Sequence, residues 1–251
     1  MDRRNFFKKT ALVGAATISI PEIVNAAMAN RELSNWHYLS KGETFLFQGD
    51  SITDCGRNRE KENEVNQQSQ LGLGYPLFAA ANILAGHAEK DLKIYNRGIS
   101  GNKVFQLAER WDKDCIHLRP DILSILIGVN DFWHAKSDKY AGTIVEYETD
   151  YRNLLTRTKK ELPEVKIIIC EPFIIHGGSA LDETWKEEFA PYQKVAKSLA
   201  REFELRFVPF QSIFDEALKK APAQYWGADG VHPSMAGAQL MAQAWQKAVL
   251  S

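Results

Sequence analysis

A single three-layer α/β/α domain built on a five-stranded parallel sheet is the fold this sequence predicts. Three observations carry it. Short apolar runs alternate with stretches of helical spacing along the whole chain, which implies right-handed crossovers and a parallel sheet covered on both faces. The strongest run, Asp121 to Ile127, is apolar at consecutive positions, as a strand buried on both faces must be. Glycine-bearing turns close the first two runs, at Gly49, where the chain has to turn sharply, and at Gly98 to Gly101.

The elements follow in order. Residues 30–43 read as a polar lead-in in which Trp36 packs on the body, and residues 44–49 read as the first strand. Residues 54–70 are rich in Asn, Gln, Glu and Arg and read as a long polar loop, closed by Gly72 and Gly74. Tyr75 to Leu84 has helical spacing of apolar residues, and Leu92 to Asn96 is the second strand. Val104, Leu107, Ala108 and Trp111 recur at i, i+3, i+4 and i+7 and predict one helix, which Pro120 bounds. After the strand at 121–127, Glu146 to Leu162 is an amphipathic helix that stops before Pro163. Val165 to Cys170 is the fourth strand, Phe189 to Phe203 a helix and Leu205 to Val208 the fifth strand. Helices follow at about 211–220 and 234–249, with Pro233 near the first turn of the last. There is no internal repeat, low-complexity tract or second domain.

Residues 1–29 read as an export signal set apart from the domain at 30–251. Arg3-Arg4-Asn5-Phe6-Phe7-Lys8-Lys9 is a basic start, and Ala11 to Ile20 is an apolar stretch too short to span a bilayer. Ala27-Met28-Ala29 offers an A-x-A cleavage site, and Ala26 a second choice. The paired arginines resemble a twin-arginine signal, which implies a periplasmic or extracellular protein without a stable membrane anchor. An amphipathic N-terminal helix is the alternative.

Composition bounds the partners. The 251 residues are 45% hydrophobic and 25% charged, ordinary for a soluble globular chain, and the net charge of −1 offers no electrostatic footprint for nucleic acid. Cys55, Cys115 and Cys170 form no C-x-x-C pair, and their odd count excludes a complete disulfide framework, so all three read as small buried apolar residues. No G-x-S-x-G, Walker, dinucleotide-binding or H-E-x-x-H motif occurs, and neither a cofactor nor a metal is implied.

Four blocks carry chemistry: Gly49-Asp50-Ser51-Ile52-Thr53-Asp54, Arg97-Gly98-Ile99-Ser100-Gly101-Asn102, Ile127-Gly128-Val129-Asn130-Asp131 and Asp229-Gly230-Val231-His232-Pro233. Their order and spacing resemble the SGNH hydrolases, also called the GDSL esterase/lipase family, over about residues 44–248. The first three blocks, extended to Cys55-Gly56-Arg57 and to Phe132-Trp133, look like the bacterial acetylxylan esterase branch. The resemblance implies a flavodoxin-like strand order of 2-1-3-4-5.

Ser51 would stand at the carboxyl end of the first strand, the edge at which open α/β sheets bind ligands. A serine is a weak nucleophile until a base takes its proton, and His232 is the candidate base. Asp229, three residues earlier, can accept from the imidazole and hold its tautomer, although it could also simply cap the last helix. Acyl transfer needs donors aimed at the developing oxyanion. The Ser51 and Gly101 backbone N–H groups and the Asn130 side-chain amide are the candidates, with a tight turn at Gly101 and an Asx turn at Asn130 as the plainer alternatives. Family order favours function for all of these. Asp50 reads as a brace for the nucleophile loop and, with Trp133 and Trp226, as a candidate to border the substrate; aromatic faces suit sugar rings. His134 is the one rival histidine and reads as pocket lining.

The expected function is an exported serine esterase that removes O-acetyl groups from a poly- or oligosaccharide through an acetyl-enzyme. A lysophospholipase or thioesterase on the same scaffold is the alternative, and a glycan-binding domain without catalysis a third. The sequence leaves the oligomeric state open.

Overall fold

A computed structural model describes residues 19–28 and 39–250. The paired arginines at 3 and 4, most of the apolar stretch after Ala11, Ala29 and Trp36 lie outside the described residues.

The chain runs α1 (Ile20–Met28), β1 (Thr44–Gly49), α2 (Ser51–Asp54), α3 (Gln68–Leu71), α4 (Tyr75–Gly86), β2 (Lys93–Asn96), α5 (Val104–Glu109), α6 (Trp111–Asp114), β3 (Ile122–Leu126), α7 (Val129–Lys136), α8 (Ile144–Glu161), β4 (Lys166–Cys170), α9 (Trp185–Glu202), β5 (Arg206–Val208), α10 (Phe210–Leu218), α11 (Ala223–Trp226) and α12 (Met235–Leu250). All strand pairs are parallel, and the sheet order is β2-β1-β3-β4-β5. The register aligns Gly49 with Leu126 and Leu126 with Cys170, so the three central strands end at one edge.

Every residue of β3 is buried, because helices cover both faces of the central strand. On one face α4, α10 and α12 pack together. Trp245 of α12 lies over Phe47 at 4.8 Å between ring centroids, and its indole N–H donates to Ser124 Oγ of β3 at 2.9 Å. That bond satisfies a polar pair that would otherwise be costly to bury. On the other face α5, α8 and α9 pack together, with Tyr147, Tyr151, Leu154 and Leu155 of α8 turned inward. The edge strand β2 is blunted by a side chain. Asn66 donates to the Leu92 carbonyl and accepts from the Ile94 N–H, both at 2.8 Å, and so occupies edge groups open to non-native pairing.

The structure departs from the sequence expectations in five places. The segment 20–28, set apart from the fold by sequence, is an amphipathic helix whose Ile23, Val24 and Met28 are buried against α10 and α12. The predicted polar loop at 54–70 contains α2's end, a 3₁₀ turn at Arg59–Lys61 and α3, and Asp54, Arg57 and Gln70 are buried in it. The single helix expected through Val104 and Trp111 breaks into α5 and α6 at Arg110, which adopts φ −108° and ψ 8°. Residues 129–136, for which no helix was predicted, form α7. Helix α8 starts two residues earlier than its apolar pattern, because Thr143 and Glu146 form a reciprocal capping box.

Candidate active site

Strand β1 ends where three backbones converge. A Cβ on Gly49 would lie 2.3 Å from the Leu126 carbonyl oxygen and 2.4 Å from Thr53 Oγ1, so only glycine admits this approach of β3 and α2. Asp50 caps α2: its Oδ1 accepts from the Ile52 N–H at 3.0 Å. Ser51 is the first residue of that one-turn helix, which holds its side chain at the carboxyl edge of the sheet.

The partner arrives from the far end of the chain. Ser51 Oγ is 2.9 Å from His232 Nε2, and His232 Nδ1 is 2.6 Å from Asp229 Oδ2. Asp229 Oδ1 also accepts the backbone N–H groups of Val231 and His232, at 2.9 and 2.8 Å. Burial pushes the Asp229 carboxyl upward, but the bonds from the His232 ring and the two N–H groups outweigh it and hold the carboxyl below its usual range. An ionised Asp229 can only accept, so Nδ1 carries the proton and Nε2 is left free to accept from Ser51. The sequence alternative for Asp229, capping α12, does not describe these bonds.

Loop 227–234 is anchored on both sides. The Ser234 N–H donates to the Trp226 carbonyl and its hydroxyl to the Tyr225 carbonyl, at 2.7 and 2.6 Å. Ala180 N–H donates to the Asp229 carbonyl at 3.0 Å. A Cβ on Gly237 would lie 2.2 Å from the Trp226 carbonyl oxygen, which explains glycine in the first turn of α12.

Gly101 lies in the turn after β2, and Asn130 in the first turn of α7 after β3. Both therefore belong to the strands that flank β1. Asn130 is buried, and its Nδ2 donates to the Asn102 carbonyl at 3.3 Å. Gly101 has φ +82°, with open space where a Cβ would be. Among the described residues, the backbone N–H groups of Ser51 and Gly101 have no protein acceptor.

The Gly101 loop is stapled to α2 by residues to which the sequence reading gave no role, although Asp54, Arg57 and Ser100 lie in the blocks that carry the family resemblance, since buried charges in a polar stretch read as solvated loop. Asp54 Oδ2 accepts from the Ser100 N–H and hydroxyl at 2.8 and 2.7 Å. Arg57 Nε donates to the Gly98 carbonyl at 2.7 Å, and Asn96 Nδ2 to the Thr53 carbonyl at 2.6 Å. Burial works to raise the Asp54 carboxyl, but bonds from Ser100 and Arg59 hold it below its usual value, so it is an ionised acceptor.

Two expectations for the substrate border change. Asp50 is 1% exposed, so it is a brace within the protein and cannot touch a substrate. Trp226 is 4% exposed and its indole N–H donates to the Ala217 and Ala221 carbonyls, so it packs under the His232 loop instead of presenting a face. Its neighbour Tyr225 is the exposed aromatic there. Trp133 is half-buried, edge-on to Trp185 at 5.4 Å. His134 is half-buried on α7, and burial, helped by Lys103 and Lys139, disfavours its charged form. Cys115 and Cys170 are buried, whereas Cys55 is half-buried at the left-handed end of α2. Among the described residues, no group of three or more His, Cys, Asp or Glu is placed to hold a metal ion.

A model of the GDSL-like Lipase/Acylhydrolase family matches residues 47–240, a span that contains all four blocks. This chain belongs to the GDSL-like lipase/acylhydrolase family. It is a carboxylic ester hydrolase, and a purely glycan-binding role is set aside. The chain is 37% identical over 218 residues to the acetylxylan esterase of Geobacillus stearothermophilus, which covers 84% of this chain and 95% of that protein. The crystal structure of that esterase superposes with a TM-score of 0.75 at 36% identity, over 84% of this chain and 95% of the other. A GDSL-like lipase from Parabacteroides merdae superposes with a TM-score of 0.82 at 53% identity, over 84% and 97% of the two chains.

Proposed function

We propose that this GDSL hydrolase is an exported esterase that removes O-acetyl groups from a carbohydrate through an acetyl-enzyme on Ser51. The single observation that carries the mechanism is the unbroken chain of bonds from Ser51 through His232 to Asp229. His232 Nε2 takes the hydroxyl proton as Ser51 Oγ attacks the acetyl carbonyl. The new oxyanion is met by the N–H groups of Ser51 and Gly101 and by the Asn130 amide. The imidazolium, stabilised by Asp229, gives the proton to the departing sugar oxygen as its bond to the acetyl carbon breaks, and the sugar leaves with a free hydroxyl. Water, deprotonated by the same nitrogen, then attacks the acetyl-serine, and acetate leaves as Ser51 regains its proton.

Two comparisons support these roles and the substrate. Solved variants of the Geobacillus stearothermophilus esterase described as catalytic mutants replace one serine, one aspartate and one histidine, the last two three positions apart like Asp229 and His232. Other solved variants describe that protein as an acetyl-xylooligosaccharide esterase. Tyr225 and Trp133 are the aromatic residues left to border a sugar. The proposal of export rests on residues 1–29, of which 20–28 also pack as α1 against α10 and α12, with the hydrolase domain at 30–251. Among the described residues, no helix is long and apolar enough to cross a membrane.

A second reading, a lipase or lysophospholipase, is favoured by the description of the Parabacteroides merdae structure as a GDSL-like lipase. Acyl length separates the two. Each methylene that finds no apolar recess forgoes about 0.8 kcal/mol of burial. The acetylesterase reading therefore expects kcat/KM on p-nitrophenyl esters to fall from acetate through butyrate to octanoate, and acetate to be released from acetylated xylan. A maximum at the octanoate would replace it with the lipase reading.

A further inference from the structure

We infer that Arg110 is a positioning residue for ester hydrolysis, holding the Gly101 loop in register with the nucleophile; this rests on the assignment of Ser51 and Gly101 above. The side chain is 15% exposed. Its guanidinium distributes donors over four acceptors from separate parts of the site. Nε donates to Asn102 Oδ1 at 2.9 Å, and one terminal nitrogen donates to the Arg97 carbonyl at 2.7 Å and to Asp114 Oδ2 at 2.9 Å. The other terminal nitrogen reaches the Gly49 carbonyl at a longer 3.4 Å.

The placement of those acceptors makes the case. Arg97 and Asn102 are the two ends of the turn that carries Gly101. Gly49 lies two residues before Ser51. Asn102 in turn accepts the Asn130 amide. The elements bearing Ser51 and Gly101 thus meet at one planar cation, and Asn130 joins them through the Asn102 carbonyl. The break between α5 and α6 at Arg110 accompanies this arrangement, since Arg110 is the junction residue and leaves the helical conformation there.

A purely structural role, as the counter-charge of Asp114, does not need this pattern. Asp114 already has Arg97 Nε at 4.0 Å, and three of Arg110's four acceptors are neutral carbonyl oxygens at the site edge. A rigid fork with five donors can serve them together, whereas a lysine ammonium on a flexible stem can keep the Asp114 pair but not the fork.

The test compares Arg110→Lys and Arg110→Gly with the parent and with Ser51→Ala, on p-nitrophenyl acetate, with thermal melts of each. A displacement of about 1 Å in a catalytic array costs on the order of 10²-fold in rate. Arg110→Lys is expected to lose kcat by about that factor, with KM little changed and the melt close to the parent's. Millimolar guanidinium chloride is expected to restore much of the kcat of Arg110→Gly, and equal sodium chloride to restore none. The inference is overturned if Arg110→Lys keeps the parental kcat while Ser51→Ala is inactive. It is also overturned if Arg110→Gly only melts earlier, with unchanged kcat in the folded protein, or gains nothing from guanidinium. An active Ser51→Ala enzyme would instead overturn the nucleophile assignment, and this inference with it.

Discussion

Ser51 Oγ and His232 Nε2 stand 2.9 Å apart across 181 residues of sequence. Nothing local enforces this contact. It exists because β1 delivers Ser51 to the sheet edge through the Gly49 turn, and because α11 and α12 hold the His232 loop over the same edge. Asp229 orients the ring from within that loop.

Ser51→Ala and His232→Ala are each expected to abolish nearly all ester hydrolysis while the protein stays folded. In a serine triad dissected elsewhere, loss of either member costs on the order of 10⁶ in turnover. Steady-state rates on p-nitrophenyl acetate measure it. A Ser51→Ala enzyme with more than about a tenth of parental activity would refute the nucleophile.

Asn130→Ala removes one side-chain donor from the proposed oxyanion site. The expected cost is roughly 10²–10³-fold in kcat, with KM little changed, because the bond strengthens as charge develops on the carbonyl oxygen. A change confined to KM would make Asn130 a ground-state binding residue.

Asp131 sets a pH dependence of stability. It is 3% exposed, and burial pushes its carboxyl up from 3.8 to about 7, opposed in part by the Val104 N–H on Oδ1. Between those values the folded chain keeps a proton that the unfolded chain has released. Stability from this group is therefore full at acid pH and lost as pH rises toward the folded value. Asp131→Asn cannot titrate and keeps a carbonyl oxygen for Val104. Its stability relative to the parent should improve by on the order of a few kcal/mol from about pH 4 to about pH 8. Urea unfolding at several pH values measures it, and parallel profiles would refute it. Asp50, also raised to about 7 mainly by burial, acts in the same direction in the parent.

Gly98→Ala tests the staple between the Gly101 loop and α2. The added Cβ would lie 2.5 Å from the Asp54 backbone nitrogen and 2.8 Å from the Thr53 carbonyl carbon, both main-chain atoms with little room to yield. Overpacking of this kind costs about 1–3 kcal/mol. The expected result is a lower melting temperature together with a lower kcat. Parental values of both would show that the loop is not held by this contact.

Much of the fold was legible because a parallel sheet leaves a one-dimensional signature. Its strands are short apolar runs, and all five were placed within two residues of their observed ends. The 2-1-3-4-5 order was not in any run. It came from the resemblance carried by the four blocks, and the observed strand pairing matches it. Helix α7 escaped because Val129 to Lys136 buries its first four residues in succession rather than on a helical stripe.

By itself the sequence determined the chemistry on offer: a serine after a glycine turn, a histidine three residues beyond an aspartate, and no cofactor motif. Tertiary structure alone decided which side chains face that chemistry. Asp50 and Trp226 turned inward because each finds its hydrogen-bond partners inside the protein, at the Ile52 N–H and at the α10 end carbonyls. Asp54, Arg57 and Arg110 became internal ties because, beside local opposite charges, they meet loop groups brought from distant segments, the Ser100 N–H and the Gly98 and Gly49 carbonyls. Desolvation penalises a charge until such partners are assembled around it, and those partners are fixed by three-dimensional proximity, which residue spacing does not record.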